Sequence, residues 1–152
     1  MRRRMILGEH ALNLNLMTKI INWFCRLLHI SSKVAHIAYL EDNVDKAMIG
    51  YQYVLEKIQK RNDYLNEENY HELFGIVKNL IGQAYIAMKK FPEAKAALLE
   101  AQKVFQKYKD ELSEDGIILL NNLSCTCAEL KEYDSALRYL KEAIEIAKKI
   151  EI

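Results

Sequence analysis

The chain has 152 residues, 51% of them apolar, with five glycines and one proline. That shortage of turn residues argues against sheets and loop-built active sites and for helices joined by short connections. The net charge of +1 excludes a global basic field for nucleic acid, and three cysteines without disulfide spacing suit a reducing compartment or inert thiols.

The first element is basic and apolar. Residues 1–40 hold Arg2, Arg3, Arg4, Lys19, Arg26 and Lys33 against Glu9 alone, so the rest of the chain is net acidic. Leu16, Ile20, Phe24, Leu27 and Leu28 predict one apolar helical face, with Lys19, Asn22, Arg26 and His29 opposite. Ala11–Ile30 is interrupted by Asn13, Asn15, Lys19, Asn22 and Arg26, too many polar groups for a membrane-spanning helix. Two readings of residues 1–26 stay open. One is a mitochondrial presequence-like or membrane-surface helix; the other is a repeat helix that docks its apolar face on the first helical pair.

From residue 27 to 152 the sequence repeats. Val44–Ile58, Phe91–Phe105 and Tyr133–Ala147 each open on an apolar residue. Each then places a small alanine (Ala47, Ala94, Ala136), a larger residue four on (Tyr51, Leu98, Leu140), and Val54, Ala101 or Ala143 three further. Spacings of three and four put these on one helical face. A second helix precedes each segment. It carries Ala35 and Ala38, then Gly82 and Tyr85, then Ser124 and Cys127, with a small residue first where two helices must cross closely.

Breaks are predicted at Glu41–Asn43, Lys89–Lys90 and Lys131–Glu132, with longer turns at Arg61–Asn66 and Lys109–Ser113. Asn66 and Ser113, each followed by two acids, read as helix N-caps, and Pro92 falls in a first helical turn. The expected architecture is all-α: a solenoid of about three helical hairpins, residues 27–152, with repeats of 42–47 residues. The last repeat has no polar capping helix after it, which predicts part of a longer array and an apolar face on the last helix. Self-association, or a partner over that helix, is therefore expected.

Catalytic constellations are missing from the sequence. There is no nucleophile elbow, no phosphate-cradling glycine loop and no carboxylate pair without a capping role. Cys125 and Cys127 point roughly 200° apart on a helix, and His10, His29, His36 and His71 have no ligand spacing, so no metal or cofactor is expected. What remains is a surface. The first helices of stacked hairpins line a concave groove, to which His36, Tyr39, Asn79, Gln83, Ile86, Ile118, Asn121 and Cys125 are assigned. Amides there can donate to and accept from an extended peptide.

The small residue, the aromatic, the alanine and the bulky residue at these offsets resemble the tetratricopeptide repeat, most faithfully at Gly82, Tyr85, Ala94, Leu98 and Ala101. Members that clamp a C-terminal carboxylate present lysine and asparagine where this chain has Ser32 and His36, so that mode is disfavoured. Lys33–Ile58, with Gly50–Tyr51, the Lys60–Leu65 segment and Leu119–Ile150 are similar to the tetratricopeptide repeat protein 19 family. That resemblance implies a non-enzymatic factor at the mitochondrial inner membrane. It would associate with respiratory complex III (cytochrome bc1) and assist removal of fragments of its Rieske iron–sulfur subunit. The alternative is a cytoplasmic adaptor that grips an extended peptide in its groove.

Overall fold

The computed structural model describes residues 2–60, 67–108 and 112–150. Among them are six helices and no strand: α1 (Arg2–Leu40), α2 (Val44–Lys60), α3 (Glu67–Ala87), α4 (Phe91–Tyr108), α5 (Glu114–Glu129) and α6 (Tyr133–Ile150). They form three hairpins, α1–α2, α3–α4 and α5–α6, and the first helices α1, α3 and α5 also pack in a row. The expected turn at 61–66 with its cap, the 61–65 segment of the family resemblance and residues 109–111 of the expected turn at 109–113 lie outside the described residues.

Each hairpin closes in the same way. Asp42, Lys89 and Lys131 stand in the left-handed region with φ of 61°, 57° and 62°. The amide of each following residue reaches back to the last turn: Asn43 to Ala38 O at 2.8 Å, Lys90 to Tyr85 O at 2.8 Å and Glu132 to Cys127 O at 2.8 Å. These bonds satisfy carbonyls that a helix end leaves open. The second helix then starts at once, and the predicted alanine lies five residues beyond each positive-φ position. At the start of α5, Ser113 Oγ accepts from the Gly116 amide at 3.1 Å, with Glu114 and Asp115 in the first turn.

The small residues sit where helices cross. Ala47 and Ala94 are fully buried and Ala136 nearly so. A β-carbon added to Gly50 would stand 2.5 Å from Ala35 Cβ, and one added to Gly82 would stand 2.5 Å from Leu98 Cδ2. In the third hairpin a polar contact replaces this approach: Ser124 Oγ donates to Ala136 O at 2.8 Å.

The core has two parts. The first joins α1, α2 and α3 through Leu28, Tyr51, Val54, Leu73 and Val77 and takes in Ala97 of α4. The second joins α4, α5 and α6 through Leu98, Phe105, Leu119, Leu123 and Tyr139. Two ion pairs link neighbouring elements: Lys78 to Glu100 at 3.1 Å and Lys95 to Glu132 at 2.5 Å.

The first helix differs from the sequence expectation. Its apolar residues do not share one face. Leu28 is buried and Phe24 packs against the first core, whereas Leu16, Ile20 and Leu27 are exposed. A helix with apolar residues on two sides gives a pattern that reads as one broad face, and only packing separates the two. Asn22, Arg26 and His29 line a cleft of about 330 Å³ closed by Glu72 of α3. No described helix is long and apolar enough to cross a membrane.

Candidate partner-binding surface

The residues assigned to the groove fall into three environments. On α5, Ile118, Asn121 and Cys125 form one exposed line at a spacing of three and four. On α3, Gln83 is half-buried, and Ile86 is half-buried against the second core. Near the end of α1, His36 and Tyr39 are half-buried and stacked, with ring centroids 5.4 Å apart and planes 9° from parallel.

Asn79 has a different place. It is 5% exposed, and its Oδ1 accepts from Asn122 Nδ2 of α5 at 2.9 Å. The amide joins two neighbouring first helices, so its acceptor oxygen is engaged inside the protein. Ser32, at the equivalent place on α1, is likewise buried and donates to His29 O at 2.7 Å. The third residue of that set, Asn121, is exposed because no further first helix packs on α5 among the described residues. The sequence could not separate these cases, since one side-chain type at one repeat position serves both solvent and a neighbouring helix.

His36, placed on the surface by its repeat position, also has an internal partner. Its Nδ1 lies 2.9 Å from the hydroxyl of Tyr51, which is fully buried. Burial, with Tyr39 nearby, pushes the Tyr51 phenol up to about 12, and burial holds His36 below its ordinary value. His36 therefore ties the groove side of α1 to the core of the first hairpin. The two cysteines diverge as their spacing requires: Cys125 is exposed and Cys127 buried. No group of three or more His, Cys, Asp or Glu among the described residues is placed to hold a metal.

A second concavity of about 300 Å³, unmarked in the sequence, lies where α2, α3 and α4 meet, lined by Gln52, Leu55, Lys78, Tyr85 and Glu100 among others. It mixes apolar walls with an ion pair. The only sequence signal for it is Tyr85, which the repeat pattern marks as a packing aromatic.

Comparison with known proteins fits this geometry. A family model described as "Tetratricopeptide repeat" matches residues 73–149, half of the chain. The chain belongs to the tetratricopeptide repeat family. Among curated proteins it is similar to "Tetratricopeptide repeat protein 19 homolog, mitochondrial" of Drosophila melanogaster, 30% identical over 126 residues, 82% of this chain and 34% of that protein. It is also similar to "Tetratricopeptide repeat protein 19, mitochondrial" of Mus musculus, 22% identical over 134 residues, 82% of this chain and 37% of that protein. The chain thus spans about a third of the length of these relatives. As a tetratricopeptide repeat protein it has the architecture of a protein-interaction scaffold. Among the described residues the first helices meet in two places, α1 with α3 and α3 with α5, and stacking of this kind builds the extended surface of a repeat protein.

Proposed function

We propose that this chain is a non-enzymatic scaffold that serves respiratory complex III at the mitochondrial inner membrane, holding an extended segment of a bc1 subunit, the Rieske protein among the candidates. The observation that carries the reading is the similarity over 82% of the chain to a mitochondrial tetratricopeptide repeat protein 19. The row of first helices supports it, because Gln83, Ile86, Ile118, Asn121 and Cys125 supply amide and apolar contacts of the kind an extended peptide needs. The scaffold needs no cofactor for this role.

Affinity purification of the full chain from its own cells tests the reading. bc1 subunits should be enriched, and Gln83→Ala combined with Asn121→Ala should reduce that enrichment severalfold while the helical circular-dichroism signal stays intact. Enrichment of cytoplasmic proteins without bc1 subunits would replace the reading with that of a cytoplasmic peptide adaptor. Residues 1–40 fused to a fluorescent reporter give an independent check, since the proposal requires mitochondrial delivery of the protein.

A further inference from the structure

The gaps between second helices are filled differently along the array. Among the described residues α2 does not touch α4 along the backbone, nor α4 α6, so each gap is closed by side chains over a first helix, α3 or α5. At the register that pairs Ala94 with Ala136, Ala96 and Ala97 of α4 correspond to Arg138 and Tyr139 of α6. In the later gap Tyr139 is 7% exposed in the second core, and Arg138 Cζ lies 5.0 Å from the centroid of its ring. The hollow lined there by Gln102, Leu120 and Glu142 is about 10 Å³. In the earlier gap two methyl groups stand at the positions of that ring and that guanidinium, and the concavity is about 300 Å³. The helices on both sides of this gap are present in the structure, so the opening follows from Ala96 and Ala97.

We propose that this concavity takes an aromatic side chain from a partner protein segment in which an arginine or lysine stands next to the ring. Its walls are apolar: Ile81 and Ala97 are buried and Leu55 and Tyr85 half-buried, and Tyr85 offers a ring against which another can pack. Its volume is at the low end of the range for ligand sites, about 300–1,000 Å³, which suits one inserted side chain. The rim selects the neighbour of that side chain. Glu93 and Glu100 are both exposed there. Lys78 pairs with Glu100 at 3.1 Å, whereas Glu93 has no ion-pair partner among the described residues. A cation beside the inserted ring meets the Glu93 carboxylate, and an acidic segment or an anionic lipid surface is repelled by it. The partner thus supplies from outside the pair that Arg138 and Tyr139 supply in the later gap. The site opens between α2 and α4 and uses neither Gln83 nor Asn121, so it is a second docking place beside the row of first helices.

The probe is a capped glycine–serine peptide with a central arginine–tyrosine pair, titrated into the isotope-labelled full chain. The amide resonances of Leu55, Ile81 and Ala97 should move. Alanine in place of the peptide's tyrosine should weaken binding about tenfold or more, and glutamate in place of its arginine should weaken it severalfold. Glu93→Lys should also weaken it severalfold, whereas Glu129→Lys, the same change of charge at an exposed place on α5, should not. Ala96→Arg with Ala97→Tyr copies the later gap, and should keep the circular-dichroism spectrum while abolishing binding. Should that double variant fail to fold, Glu93→Lys decides alone, because its side chain is exposed. Absence of shifts at millimolar peptide overturns the proposal, as do shifts confined to other parts of the chain. So does binding that is indifferent to the peptide's tyrosine, to its arginine or to Glu93, or that persists in a folded double variant.

Discussion

Gly50 and Ala35 mark a close approach of α1 and α2. Substituting Ala at Gly50 adds a methyl group whose nearest neighbour, 2.5 Å away, is the β-carbon of another alanine, which has no flexible end to move aside. The two helices must part, and this outweighs the helix propensity that alanine brings, worth up to about 1 kcal/mol. Gly50→Ala should therefore lower stability by about 1–2 kcal/mol in urea unfolding; an unchanged midpoint would mean that the helices part at no cost. The histidines give a second residue-scale prediction. His29 and His36 are both held below their ordinary value of 6.5, chiefly by burial. The folded chain then binds these protons more weakly than the unfolded one. Their contribution is complete above the ordinary value and is lost as pH falls through 6.5 toward the folded value. Unfolding midpoints should fall between pH ~7.5 and ~5.5, and His36→Gln should flatten that slope. The small residues at the crossings were legible because sterics admit few alternatives there. The burial of Asn79 was not, because an amide suits a wet groove and a dry interface equally well.

At the scale of the helical element, three identical turns hold the hairpins, two of them with lysine in the left-handed conformation. A side chain there costs roughly 1 kcal/mol that glycine avoids, offset in part by the extra freedom of glycine in the unfolded chain. Lys131→Gly should raise stability by about 0.5 kcal/mol, measured as a higher midpoint of thermal unfolding. A drop would show that the Lys131 side chain supports the turn in another way. The positions of these turns could be read from the breaks in helical spacing, but their geometry could not, since lysine carries no turn signal of its own. The reverse holds for α1. Its helical character was plain, while the division of its apolar residues between buried and exposed sides depends on where α2 and α3 lie, which local spacing does not encode.

For the whole molecule, the two-part core sets how unfolding proceeds. The Asn79–Asn122 bond lies at the junction of α3 and α5, between the hairpins that contribute to each part. Asn122→Leu would leave the 5% exposed Asn79 amide without this partner, at a cost of about 1–3 kcal/mol. The loss should fall on the contact between the last two hairpins, so unfolding followed by hydrogen exchange of the α5–α6 amides and of the α1–α2 amides should cease to coincide. Coincident curves would show that packing alone couples the parts.

That division also fixes how the molecule yields to load. A pull on the end of α6 works first against its packing on α5 and against the contacts of α5 with α3 and α4. Once they part, the second core opens, while the first keeps its own internal packing. The chain should lengthen in instalments, the first releasing Glu114–Ile150, roughly 120 Å of extended backbone. Tension applied at α6 would thus be absorbed in the α5–α6 hairpin, and the surface on α1 and α3 would keep its shape after that hairpin had given way.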